Sequence, residues 1–339
     1  MTKSFLCLSA DEKLKIFQHA EQVSGRAVHL LEKDVWVVWA VREIFSAPFG
    51  KHLVFKGGTS LSKGYDAIRR FSEDVDLTYD IRTIIPDMVI DRDNALPPMH
   101  NQGEKWSHAV RARLPKWITN SVVPVLEEAL ERDGLSADAN LRIHEDKVFI
   151  NYTPLTGGFR YGGPPVKLEF GAPTEKPFER RNIVCDAAEH LKGFEFPEAT
   201  PNIMRIERTC WEKMVAVHVY CLKGHSQNER FARHWYDLTR LDVGGYIDAA
   251  LQDNNLAMKV AQHQSMFFVE KDVKGERIDY ETAISGGLVL IPGGEAFKAL
   301  EEDYKNMIES GFLQSDSDLF EDVMDRCREI EKKANCRNV

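Results

Sequence analysis

Two aspartates and a distant glutamate are the residues best placed to do chemistry. Asp74 and Asp76 stand one residue apart in "EDVDLTY", and Glu169 lies in "VKLEF". Alternate residues of a strand point to one face. Asp74 and Asp76 therefore project together, while Val75 and Leu77 pack the other side. Glu169 is flanked by Leu168 and Phe170, so it too opposes a packing face. Carboxylates held close repel one another unless positive charge sits between them. A hard, oxygen-preferring cation such as Mg²⁺ supplies it. Two such ions about 3.5–4 Å apart bind the attacking and leaving oxygens of an in-line phosphoryl displacement. An isolated D-x-D is more often the solvated face of an edge strand, and a lone strand glutamate is more often surface than ligand.

The stretch upstream shifts that balance. Gly57-Gly58-Thr59-Ser60 separates an apolar run, "HLVF", from a helix-compatible segment. Glycines allow close backbone approach, and helix-start amides favour anions. Thr59 and Ser60 add hydroxyls, and Lys63 is one turn further on, within reach of a phosphate. The turn is neither the P-loop G-x-x-x-x-G-K-[ST] nor the Rossmann G-x-G-x-x-G. Alone it reads as a helix cap. With Asp74 following 16 residues after Gly58, it reads as the cradle of a nucleoside triphosphate whose metals the aspartates bind.

Around these residues the pattern predicts mixed α/β structure to about residue 200, then a helical region. Ser9 and Glu12 form a capping-box signature for a helix over 10–25, and "EKDVWVVWAVREIF" predicts a buried helix over 32–46. Strands are expected at 52–55 and across "EDVDLTY", with a helix-compatible stretch from Thr59 to Arg70 between them. Pro86, Pro97 and Pro98 mark a loop over 81–102, and helices follow at about 105–132. "LRIHEDKVFINYTPL" and "PPVKLEFGA" alternate as strands do, and 182–185 adds another. From Ile203 onward the pattern is helical, interrupted by "GGLVLIPGG". The expected domains are 1–200, with a helical segment over 1–50 and a core over 51–200, and 201–339.

Composition narrows the class. The net charge of −9 argues against indiscriminate nucleic-acid binding, although 44 Lys and Arg leave room for a local basic groove. Six cysteines form no C-x-x-C pair, so neither a zinc ribbon nor a thioredoxin-type site is indicated. The N-terminus turns polar too soon for a signal peptide, and no run approaches the roughly 18 apolar residues of a membrane span. A cytoplasmic protein with no membrane partner is expected. His218, His225 and His234 stand at no metal-binding spacing.

"FKGGTSLSKGY" and "RFSEDVDL" resemble the first two motifs of the AbiEii/AbiGii toxin family, which includes the MenT-type toxins and falls in the nucleotidyltransferase superfamily of DNA polymerase beta type. "IERTCWEKMVAVHVY" is similar to that family's later helical motif, with Lys213 at its lysine. "RHWYDLTRL" is similar to its R-x-x-[YK]-D-L motif, with Arg233 and Asp237, and "LEEDYKNMIESGFL" to a D-Y-x-x-M segment. The resemblance implies an α+β, bilobed protein, with a polymerase-beta-like mixed sheet first and a largely helical lobe second. It implies a toxin of a toxin–antitoxin or phage-defence (abortive infection) system. The implied reaction moves a nucleoside monophosphate from an NTP to an acceptor with two Mg²⁺ ions. The implied acceptor is the tRNA 3′ end, so that translation stops. Asp74, Asp76 and Glu169 would hold metal, and Gly57, Gly58, Thr59, Ser60, Lys63 and Lys213 would hold the nucleotide. Asp237 would orient Lys213 or the nucleotide. Read from the residues alone, Lys213 is a snorkelling lysine and Asp237 an exposed acid paired with Arg233 or Arg240. An antitoxin of AbiEi type is the implied partner. For an RNA acceptor the basic groups expected nearby are Arg69, Arg70, Lys105, Arg111, Arg113, Lys116, Arg230, Arg233 and Arg240. Two other readings stay open: the same chemistry on a small molecule or a protein hydroxyl, and a non-catalytic NTP-binding module that sequesters a partner.

Overall fold

A computed structural model describes residues 3–72, 74–93, 95–157, 163–171, 178–224, 230–313 and 317–337. The chain divides into two compact units. The first comprises Met1–Tyr65, Phe71–Ala95 and His108–Met204, and the second Asp66–Arg70, Leu96–Ser107 and Arg205–Val339.

The first unit is mixed α/β. Helix α1 (Ala10–Ser24) starts where Ser9 and Glu12 cap one another: the Glu12 amide donates to Ser9 Oγ at 3.4 Å, and the Ser9 amide to Glu12 Oε2 at 2.9 Å. This satisfies donors that a helix start leaves open. Helix α2 (Val28–Ser46) buries Leu31, Val35, Val38, Trp39, Val41 and Ile44, and with them the charged residues Glu32, Lys33, Asp34 and Glu43. Strand β1 (Leu53–Lys56) runs directly into the short helix α3 (Gly57–Lys63), and β2 (Asp74–Tyr79) follows. Helix α4 (His100–Trp117), which this unit contains from His108 on, and α5 (Val123–Arg132) flank a π-helical turn, Ile118–Val122. Besides four two-residue strands that pair off in two small sheets, Lys3–Ser4 with Phe194–Glu195 and Ile183–Val184 with Glu198–Ala199, the remaining strands are β3 (Ala139–His144), β4 (Lys147–Tyr152), β5 (Val166–Gly171), β6 (Phe178–Arg180) and β7 (Asn202–Met204).

These seven strands form one mixed sheet in the order β3-β4-β5-β2-β1-β7-β6. Its centre pairs β2 antiparallel with β1 and parallel with β5. Val75, Leu77, Val148, Ile150, Leu168 and Phe170 are buried on one face, and α2 packs against β2 and β5. Alternation then assigns Asp74, Asp76, Lys167 and Glu169 to the opposite face.

Two local expectations change. The helix predicted from Thr59 to Arg70 stops at Lys63, because the chain leaves helical geometry after Gly64 and passes through a positive φ at Asp66. The segment 81–102 is not all loop: Ile81–Ile84 is helical, with its first amides capped by Asp80, and α4 begins at His100.

The second unit is helical: α6 (Ile206–Lys223), α7 (Arg233–Val243), α8 (Tyr246–Gln252), α9 (Asn254–Phe267), α10 (Tyr280–Ile284), α11 (Gly294–Glu309) and α12 (Phe320–Asn335). Helix α6 packs on α8 and α9, and α7 on α12. The "GGLVLIPGG" interruption buries Leu288 and Leu290. Its backbone is tied by Val289 N–H to His218 Nδ1 at 3.0 Å and by Trp235 Nε1 to Leu290 O at 2.7 Å. His218 is thus a core acceptor, and burial pulls its pKa down to about 4. His225 lies outside the described residues. No helix among the described residues is long and apolar enough to cross a membrane.

Candidate active site

The site of the first unit grows from strand register. Parallel pairing of β2 with β5 sets Asp74 opposite Lys167 and Asp76 opposite Glu169. Neighbouring strands lie about 4.8 Å apart, so the three acids form one compact group on one face. Antiparallel pairing sets Lys56 of β1 beside Asp76, and Lys147 of β4 beside Glu169.

Charge in this group is shared unevenly. The Lys167 ammonium lies 3.1 Å from Asp74 Oδ2 and 3.0 Å from Glu169 Oε2, so it bridges two acids on different strands. Burial would lower the pKa of Lys167, but Asp74 and Glu169 outweigh it and the net shift is upward. Lys147 is further from Glu169, at 3.7 Å. The Asp76 carboxyl is pushed upward, chiefly by the protein packed around it; Lys56 opposes the shift, and Asp74 and Glu169 add to it.

Sequence gave no warning of how closely the glycine turn meets this group. Gly57 has φ +77°, and a Cβ there would stand 2.0 Å from Asp76 Oδ2. Only glycine fits, for conformation and for space. The hydroxyls of the turn are already used. Thr59 lies 2.9 Å from Ser72 Oγ and donates to the Asp74 carbonyl, which fastens α3 to the start of β2. Ser60 donates to Gly57 O at 2.9 Å and is fully buried. These contacts shape the turn. Lys63 differs from the expectation of a phosphate contact. Its buried ammonium pairs with Asp34 at 2.7 Å and Asp186 at 2.6 Å, so it anchors α3 to the rest of the unit.

A divalent ion fits the donor set, which is all carboxylate oxygen as hard cations require. Among the described residues no three acid, His or Cys side chains already stand as an ion cage. The Lys167 ammonium nevertheless marks a point within the group where positive charge is accommodated.

The second unit contains a separate buried ionic cluster. Asp237 of α7 accepts two bonds from Arg70, at 2.7 and 2.8 Å, and one from Lys213 of α6, at 2.6 Å. Asp237 is fully buried, Arg70 is 5% exposed and Lys213 8%. Burial would raise the Asp237 pKa, but Arg70 and Lys213 outweigh it and hold the carboxyl well below its usual range. Burial also draws Lys213 down, against the pull of Asp237. Asp237 is thus buried where the sequence predicts an exposed acid, with Arg70 and Lys213 as partners. Arg70, one of the groups expected to meet RNA, is committed inside the fold. Arg113, another, is engaged by both carboxylate oxygens of Asp87.

No curated protein matches this sequence significantly. The chain does match, over residues 39–326, the family described as "Nucleotidyl transferase AbiEii toxin, Type IV TA system". That span takes in the glycine turn, the three acids and the Lys213–Asp237 pair, and the chain belongs to the AbiEii family of nucleotidyl transferase toxins of type IV toxin–antitoxin systems.

Proposed function

We propose that this toxin transfers a nucleoside monophosphate from an NTP to the 3′-terminal hydroxyl of a tRNA, with Mg²⁺ held by Asp74, Asp76 and Glu169. The observation that carries this reading is the register that stacks Asp76 on Glu169 beside Asp74, with Gly57 against the Asp76 carboxylate. Bound there, Mg²⁺ supplies positive charge to the phosphoryl oxygens as negative charge builds on them. The Gly57–Ser60 turn positions the triphosphate through its backbone, while Thr59 and Ser60 hold the turn in shape. The acceptor oxygen forms a bond to the α-phosphorus, the bond from that phosphorus to the β-phosphate oxygen breaks, and pyrophosphate leaves. The acceptor proton passes to a carboxylate. Glu169 is proposed to take that proton or to align the hydroxyl, and Asp76 to hold metal. Lys213 and Asp237 are proposed to act on the nucleotide in the same reaction, with Arg70 fixing Asp237. Lys63 keeps its ion pairs and positions α3. The cognate antitoxin is proposed to be of AbiEi type, and the protein to act in the cytoplasm.

Incubation with total RNA, Mg²⁺ and each labelled NTP in turn tests this reading. Label in the tRNA band that is lost in Asp76→Ala is the expected result. Label only in small molecules or in protein would redirect the acceptor. No label from any NTP would leave a non-catalytic nucleotide-binding role.

A further inference from the structure

We infer that Lys167 is the resident counter-cation of the acid set: its ammonium holds one cation position between Asp74 and Glu169, and a divalent ion takes that position only by displacing it. The inference rests on the reading that these acids hold a metal, and it adds a residue and an order of binding to that reading.

Four observations support it. Lys167 is placed by the same register that assembles the acids, directly opposite Asp74 and two residues before Glu169 on the same strand face. Its contacts run to two acids rather than one, at 3.1 and 3.0 Å, as a cation lodged within the group requires. Its side chain remains 27% exposed, so a path to solvent exists. Lys147 supplies the contrast, since among the described residues it pairs with Glu169 and with neither aspartate, at 3.7 Å, from the next strand.

The chemistry gives the arrangement a consequence. An ammonium on a flexible four-carbon stem can swing away and exchange its partners for water. Mg²⁺ gives up its own water reluctantly, so it competes poorly for carboxylates that are already neutralised. A nucleoside triphosphate brings further negative charge and further oxygen ligands, and the group then favours the divalent ion. Ion binding and nucleotide binding are therefore coupled, each strengthening the other. Without nucleotide the site remains closed by its lysine.

A merely structural lysine would join β2 to β5 and nothing more. Direct ion binding separates the two roles without reference to activity. Mn²⁺ is titrated by electron paramagnetic resonance into wild type, Lys167→Met and Lys147→Met, with and without a mixture of the four α,β-methylene NTP analogues. Melting temperatures are recorded in EDTA and in Mn²⁺. Without nucleotide, Lys167→Met should bind Mn²⁺ at least tenfold more tightly than wild type. Its further gain on adding nucleotide should shrink. Its melting temperature should fall in EDTA and recover in Mn²⁺. Lys147→Met should stay within twofold of wild type. Equal Mn²⁺ affinity for Lys167→Met and wild type, where wild type does bind Mn²⁺ with nucleotide, overturns the inference and leaves the metal assignment standing. Absence of Mn²⁺ binding in every protein, even with nucleotide, removes both. Should Lys167→Met fail to fold, Lys167→Arg keeps the charge and can fork across both carboxylates. It should weaken Mn²⁺ binding in the presence of nucleotide at least fivefold, and an unchanged affinity again overturns the inference.

Discussion

Replacing Gly57 by alanine adds a single methyl group at the point where the turn meets the acids. Two costs follow. Gly57 has φ +77°, and an L-residue in the left-handed region pays about 1–2 kcal/mol. The new Cβ would also stand 2.0 Å from Asp76 Oδ2, whereas 3.4 Å is an ordinary contact. The carboxylate must therefore retreat by about 1.4 Å or the turn must shift, and misplacement of a reacting group by about 1 Å costs roughly a hundredfold in rate. Together the strain terms come to about 1–3 kcal/mol. At about 2–4 °C per kcal/mol for a domain of this class, the melting temperature should fall by about 2–12 °C. Transfer should fall by about a hundredfold or more at temperatures where the variant is fully folded. Thermal denaturation and label transfer, measured on the same preparation, read both, and urea denaturation gives the free-energy cost. A second arm separates the two causes: in an Asp76→Ala background the close contacts with Oδ2 and Cγ are gone and only the 3.1 Å approach to the Cβ of residue 76 remains, so Gly57→Ala should cost little beyond the backbone share, about 1–2 kcal/mol. A folded Gly57→Ala protein with an unchanged melting temperature and a transfer rate within threefold of wild type would refute the reasoning.

Further outcomes follow from charge and burial. Asp76→Asn should abolish transfer yet melt no lower than wild type in EDTA, because the folded surroundings disfavour the Asp76 anion; a marked loss of stability would show a structural role instead. Asp237→Ala leaves Arg70 and Lys213 buried without their shared carboxylate and should cost about 3–5 kcal/mol in urea denaturation. Because the Asp237 pKa is depressed in the fold, its stabilisation is present above the unfolded pKa and is lost as pH falls through the folded value, and the alanine variant should lack that acid-side loss. Glu32 behaves in the opposite sense: burial pushes it up to about 7, so it weakens the fold as pH rises from about 4.3 to 7. Glu32→Gln, which keeps an acceptor for the Leu155 amide, should remove a penalty on the order of 3 kcal/mol at pH 8 and leave stability near pH 4 unchanged.

Much of the first unit is legible because its elements follow short-range rules. Period-two alternation exposes β2 and β5, a reciprocal Ser9–Glu12 cap starts α1, and an unbroken apolar run marks α2 as buried. The same alternation puts Lys167 on the face of Glu169 and hence beside the acids, yet a lysine in a strand reads as solvent-facing until register names its neighbour across the sheet. Register is a pairing between segments more than 90 residues apart, and no local pattern contains it. For the same reason the strand order, with β2 between β5 and β1, lies beyond periodicity.

The polar residues divide along a similar line. Asp74, Asp76 and Gly57 carry their significance in close spacing, so a motif can be read before any fold is known. Lys63 and Arg70 do not. Each lies within a few residues of the motif and has the charge to meet phosphate or RNA, but each is claimed by an acid far away in sequence: Lys63 by Asp34 and Asp186, Arg70 by Asp237. A buried cation must be paired, since removal from water costs more than a single exposed contact returns. The partner that satisfies it is chosen by the fold and not by the neighbouring sequence. Proximity in sequence therefore assigned these two cations to the ligand, whereas the cost of burying charge assigns them to the architecture that supports α3 and α7. The basic side chains that remain for an acceptor are those whose charge is not already answered by a buried acid, and a reversal of charge at Arg111 is a cleaner probe of RNA binding than one at Arg70, whose loss would leave Asp237 without its two-bond partner.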